Sequence, residues 1–244
     1  MEDEAGRRIK LVHYSAGEVH PSHAHEHSCL SVLLAGEFQE SVAKGEFDLA
    51  RPVVAWKPSG FAHADRFGPS GAMLISIPVP EDSRALIDMP PGWHDLSGFS
   101  PVEALLRLGL ACKNRALRQD AWADLLSHAG PPARPCSTRL PIWLKHAREM
   151  LRDDPEHANL ERLSSAVGIH RVHLSRSFTA TFGISPSAYR LRSMVARTLS
   201  AVVDRRSTLI DAAHHGNFAD YSHAARSVKK ATGLRMGEIK NLLA

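Results

Sequence analysis

Between Leu160 and Lys240 the sequence runs twice through one pattern: an apolar helix, a sharp turn and a second helix. The first copy is LERLSSAVGIHRVHLSRSFTATFGISPSAYR and the second is LIDAAHHGNFADYSHAARSVKKATGLRMGEIK. Leu160, Leu163 and Gly168 fall opposite Leu209, Ala212 and Asn217 at an offset of 49, and after one extra residue Gly183 falls opposite Gly233. Two helix-turn-helix units in one segment point to docking on duplex DNA, with the second helix of each unit in the major groove.

Charge agrees with that reading. Residues 137–244 hold 17 Lys and Arg against 9 Asp and Glu, net +8, whereas residues 1–136 hold 13 and 17, net −4. Only the basic half suits a polyanion. The chain of 244 residues is long enough for two modest domains, and its hydrophobic fraction of 43% leaves ample core. No apolar run approaches the length of about 18 residues that a membrane span needs. The N-terminal MEDEAGRRIK lacks the apolar stretch of a secretory signal. Cys29, Cys112 and Cys136 are odd in number and widely spaced, which favours a reducing compartment without disulfides. The expectation is a soluble cytoplasmic protein.

The fold class expected is multidomain α and β. Within an expected domain of residues 1–97, the short apolar runs IKLVHY, CLSVLLAGEF, VVAWKP and AMLISIPVP of residues 8–80 alternate with turn residues, as in a small antiparallel β sandwich or barrel, and residues 81–97 read as loop. Residues 98–130 read as a helical connector, with Leu105, Leu106, Leu108, Leu117, Trp122, Leu125 and Leu126 on apolar faces. The proline-rich stretch 131–137 reads as a linker, and 138–244 as an all-α domain. In that domain Asn159 is placed to cap the helix from Leu160. Ser185-Pro186 opens a long helix towards Arg205. Thr208 and Asp211 have capping-box spacing.

In the first unit His170, Arg171, Val172, Ser175 and Arg176 fall on the outward face of the second helix, while Leu174 and Phe178 face the core. In the second unit Tyr221, Ser222, Ala225, Arg226 and Lys229 take the outward positions. Arginine binds guanine bidentately, so Arg176 and Arg226 are the strongest base-reading positions. Lys229, Lys230 and Arg192 are expected on phosphates, which set affinity and its salt dependence.

This half resembles the two-unit DNA-binding domain of the AraC family of bacterial transcriptional regulators, over about residues 140–240. The resemblance rests on VHLSRSFTATFGISPSAYR and NFADYSHAARSVKKATGL. It implies two recognition helices in successive major grooves on one face of promoter DNA, about one turn apart. The second unit departs from the family pattern: Asn217 replaces the turn glycine, Ala224 and Val228 replace two phenylalanines, and Met236 replaces a proline.

His20, His23, His25 and His27 lie within eight residues, and His63 follows. On a strand, His23, His25 and His27 would alternate onto one face, where imidazoles share a divalent metal. Gly17, His23, His25, Cys29 and Gly36 fall at the spacing of the first motif of the cupin barrels, with Cys29 in place of the usual glutamate. Pro58-Ser59-Gly60 and His63 match the core of the second motif, whose opening glycine is missing and whose closing asparagine is Phe67 here. The resemblance covers about residues 15–70. It implies a metal site of His23, His25, Cys29 and His63, suited to Zn2+ or another divalent transition metal.

The barrel stays open to three readings: a metal site, a pocket for a small organic effector, or a structural part only. The whole chain reads as a one-component regulator with no catalytic residues: a sensing domain, a connector that forms a homodimer seam or packs on the barrel, and a DNA-binding domain. On this reading, effector occupancy changes how the helices of residues 100–128 pack on the DNA-binding half. The alternative is a metal-dependent cupin enzyme with secondary DNA binding.

Overall fold

The computed structural model describes residues 9–80, 84, 87–96, 115–133, 135, 140–204 and 206–243. Its first half is an eight-stranded sheet made of β1 (Lys10–Tyr14), β2 (Val19–His23), β3 (Cys29–Val42), β4 (Gly45–Leu49), β5 (Val53–Lys57), β6 (His63–Pro78), β7 (Gly92–Leu96) and β8 (Ala129–Pro132). Every pairing is antiparallel, and the order β1-β6-β3-β5-β7-β8 carries β2 against β6 and β4 against β3. The antiparallel sheet expected of residues 8–80 is therefore present, and β7 corrects the loop expected over residues 81–97 by pairing with β5.

The long central strands β3 and β6 change phase midway. Register shifts between Leu33 and Ala35 and between Gly36 and Phe38 interrupt their ladder. Each extra residue moves the following side chains to the other face. Before the shift, Leu30, Val32 and Leu34 join a core shared with helices, and Leu33 joins the opposite core. After it, Phe38 and Glu40 are buried on the inner face and Glu37 turns outward to the helical half. Gly36 sits at the bend with φ 80°, and a Cβ there would lie 2.1 Å from the Gly71 carbonyl oxygen, so only glycine fits.

The helices are α1 (Arg115–Ser127), α2 (Ile142–Asp153), α3 (Leu160–Val167), α4 (Arg171–Phe182), α5 (Pro186–Val203), α6 (Leu209–His215), α7 (Tyr221–Thr232) and α8 (Met236–Leu243). Their starts are where the side-chain acceptors were expected. Asn159 accepts from the Arg162 amide, Ser185 from that of Ala188, and Thr208 and Asp211 close a capping box. The α5 helix buries Tyr189, Met194, Val195, Leu199 and Val202 and touches every other helix from α2 to α8 except α3 among the main contacts.

One expectation about the connection is corrected. Ala129–Pro132 is an edge strand on β7, so Pro131 and Pro132 of the expected linker 131–137 belong to the sheet. An edge strand tolerates proline because its outer side needs no N–H. Of the two arrangements left open for the connector, these residues show packing within the chain: Trp122 and Leu125 are buried in one cluster with sheet residues, and Leu126 packs against it. Leu105, Leu106, Leu108 and the Leu117 side chain lie outside the described residues.

Candidate nucleic-acid interface and barrel cleft

The two helix-turn-helix units are α3–α4 and α6–α7. Gly168 closes α3 with φ 67°, and Asn217 follows α6 with φ 61°, the one non-glycine residue in this region of backbone among those described. Asparagine tolerates that conformation better than other side chains. Here it is also held by its amide group, which accepts from Arg197 Nη1 at 3.2 Å and donates to Glu156 at 3.2 Å.

On α4, Leu174 and Phe178 are fully buried, and on α7 Ala224 and Val228 take the equivalent inward places. The smaller pair is buried in one cluster with Ala212, Ala213, Phe218 and Ile239, and the turn after α6 lies close against α5. A Cβ on Gly216 would lie 1.9 Å from Thr198 Oγ1. The outward faces match the expectation. Arg171, Val172 and Arg176 are exposed on α4, with His170 at its N-cap and Ser175 half-buried. Tyr221, Ser222, Arg226 and Lys229 are exposed on α7, with Ala225 half-buried. Apolar Val172 and Tyr221 remain 47% and 41% exposed at the start of the two helices.

Arg192 is not on that surface. It is half-buried where α5 meets the sheet, and there Nε donates to the Ala50 carbonyl at 3.0 Å and Nη1 to that of Leu34 at 3.3 Å. Burial pulls its pKa down to about 10. A phosphate role is therefore replaced by a docking role. Sequence periodicity could not distinguish the two, because the face of α5 that meets the sheet is defined only once the halves pack.

Within the barrel a cleft of about 1060 Å³ opens between β1, β2, β3 and β6. His63, Asp65 and Phe67 alternate into it from β6, and His20 and His23 reach it from β2. β2 ends at His23, so His25 and His27 lie on the following loop. The expected alternation of three histidines on one strand is thus corrected. It is the loop that returns His25 to the cleft, with ring centroids 5.0 Å from His23 and 5.2 Å from His63.

The ligand atoms of His23, His25 and His63 lie within 4.8 Å of one another. Two further triads overlap this one: His20, His23 and Asp65, and Glu40, His63 and Asp65. Cys29 lines the cleft but does not join them; its Sγ lies 3.9 Å from Ser31 Oγ. Burial, and then the charge of Lys57, push His63 down to about 4. Below the histidines, buried Lys57 pairs with buried Glu40, and Trp93 Nε1 donates to Glu40 at 2.8 Å. Burial raises the Glu40 pKa, partly offset by Lys57. Asp65, Glu40 and Lys57 were not singled out from the sequence, although the period-two run His63-Ala-Asp65-Arg-Phe67 carried a usable signal for Asp65.

A second cleft of about 530 Å³ lies between the sheet and the helical half, and Phe38 and Phe67 line both clefts. Arg148 crosses it, donating to Glu37 at 2.8 Å and forming a bidentate pair with Asp48.

A helix-turn-helix domain family matches residues 163–241, so that segment is a helix-turn-helix domain. No curated protein matches the chain. Among solved structures it is similar to the C-terminal domain of AraT, a response regulator from Geobacillus stearothermophilus, at 17% identity and TM-score 0.41, over 43% of this chain and 88% of that one. It is similar to ToxT from Vibrio cholerae at 8% identity and TM-score 0.42, over 98% of this chain and 100% of that one. It is also similar to a probable AraC family transcriptional regulator from Rhodopseudomonas palustris, at 19% identity and TM-score 0.38, over 42% and 98% of the two chains. No helix among the described residues is long and apolar enough to cross a membrane.

Proposed function

With a helix-turn-helix domain as premise, we propose that the chain is an AraC-type transcriptional regulator that binds promoter DNA through α4 and α7 and senses an effector in its barrel. One observation carries this reading. Arg176 and Arg226 occupy the same place on two helices 50 residues apart, each exposed over a fully buried inward face. That is the arrangement two base-reading helices need.

The barrel cleft supports effector sensing. His23, His25 and His63 are the residues that would hold a divalent transition metal such as Zn2+, and the cleft volume also suits a small organic molecule. An occupied cleft has a short route to the DNA-binding half, because Phe38 and Phe67 form the wall it shares with the interdomain cleft. Beside a route through residues 100–128, the sheet meets α2 and α5 directly. Dimerisation on DNA and a cytoplasmic site of action belong to the same proposal.

The test is binding of the full-length chain to duplex DNA from its own upstream region, across a salt series, with added zinc or chelator. Saturable, sequence-dependent binding that weakens with salt is expected, with a shift on metal addition. Equal affinity for promoter and scrambled duplex under every condition would sink the regulator.

A further inference from the structure

Resting on the reading of the barrel as a metal-responsive domain, we propose that Asp65, not Cys29, supplies the anionic ligand of the histidine site. The centre is then built of nitrogen and oxygen only, for a divalent first-row transition ion.

The two carboxylates at the floor of the cleft are used differently. Glu40 has both oxygens engaged, one by Lys57 and the other by Trp93 Nε1. Asp65 does not. Its Oδ1 is buried with no hydrogen-bond partner among the described residues, and Oδ2 stands 3.7 Å from His63 Nε2. The residue is only 8% exposed. A buried carboxylate oxygen without a donor is costly, and a cation at that point removes the cost. Lys57, the nearby side-chain cation, is already committed to Glu40.

The histidines are oriented for the same point. His23 Nδ1 donates to the Pro21 carbonyl at 2.9 Å and His63 Nδ1 to that of Phe61 at 3.0 Å. A backbone acceptor on Nδ1 fixes the tautomer and leaves Nε2 as the metal donor. Bonds of about 2.0–2.2 Å to nitrogen and oxygen put the ligand atoms of a tetrahedral ion about 3.4 Å apart. Asp65 shares one converging triad with His20 and His23 and another with His63, so small side-chain rotations close the set. Imidazole and carboxylate donors accept zinc, cobalt, nickel, iron or manganese, whereas a thiolate would bias the site to softer ions.

The experiment is a Co2+ titration of the untagged, chelator-treated full-length chain, followed by visible absorption. The expected spectrum has cobalt d–d bands and no thiolate-to-cobalt charge-transfer band. Cys29→Ser should keep the spectrum and change the Kd by less than threefold, while Asp65→Asn should weaken binding at least tenfold. The wild-type and Cys29→Ser spectra decide the matter even if Asp65→Asn folds poorly. A charge-transfer band that disappears in Cys29→Ser, or full-strength binding by folded Asp65→Asn, would overturn the assignment to Asp65 alone. No cobalt binding by the wild type would overturn the metal-responsive reading with it, and promoter binding measured on the same sample would show whether the DNA-binding reading still stands.

Discussion

Glu37 accepts the hydroxyl of Tyr189 at 2.5 Å, across 152 residues of sequence. The same carboxylate oxygen takes Arg148 Nη2 at 2.8 Å, so one side chain of β3 holds both α2 and α5. Burial, and then the neighbouring Glu37 charge, push the Tyr189 phenol well above its usual range and keep it a donor. Burial works against the Arg148 charge, but Glu37, Tyr189 and Asp48 more than offset it. Glu37→Gln should therefore leave the half-buried Arg148 guanidinium with Asp48 as its remaining carboxylate partner. The expected loss is about 1–3 kcal/mol, read as a melting midpoint lower by on the order of 5 °C. An unchanged melting curve would show that the two halves do not depend on this contact.

The base-reading assignment separates arginine from lysine. Arg176→Ala and Arg226→Ala should each cost about 1–3 kcal/mol on the promoter and relax the preference at one half-site. Lys229→Ala should weaken all duplexes alike and reduce the salt slope by about 1. Fluorescence anisotropy on promoter and scrambled duplexes distinguishes the two. Uniform losses for the arginine variants would move them to the phosphate backbone.

Local patterns in the chain anticipated what is local in the fold. Leu174 and Phe178, four residues apart, define a buried stripe within one helix, and Asn159, Ser185 and Thr208 mark helix starts through hydrogen bonds to amides three residues on. The pairing of Glu37 with Arg148 and Tyr189 has no such signature, because it depends on a phase change in β3 and on which face of α5 meets the sheet. For the same reason Arg192 read as a surface cation although its guanidinium is bonded to the carbonyls of Leu34 and Ala50. The cleft is intermediate. The spacing of His23, His25 and His63 was visible, but Asp65 gains its meaning from having a buried oxygen with no partner.

Asn217 offers a test of the altered second unit. Its φ of 61° favours glycine, yet its side chain bridges Arg197 and Glu156. Asn217→Ala keeps the strain and loses both bonds, so it should destabilise by about 1–2 kcal/mol. Asn217→Gly relieves the backbone while losing the same bonds and should fall between that variant and the wild type. Denaturant unfolding of the three proteins gives the order. If the alanine variant matched the wild type, the turn would not be constraining the approach of α7.

His13 makes the docking of the two halves sensitive to acid. Its Nε2 lies 3.1 Å from Ser200 Oγ on α5, and that hydroxyl donates in turn to the Ser70 carbonyl at 3.0 Å, so the histidine nitrogen is the donor. Burial holds its pKa below the usual 6.5, with the charge of Glu18 pulling the other way. The unfolded chain then takes up a proton that the folded ring declines. The stability this neutral ring contributes is complete above pH 6.5 and is lost as pH falls towards the folded-state pKa. His13→Gln keeps a donor to Ser200 and cannot titrate. The stability difference between wild type and His13→Gln, from urea midpoints between about pH 7.5 and 5.5, should therefore shrink on acidification. A difference constant over that range would mean that His13 keeps the same protonation in the folded and unfolded states.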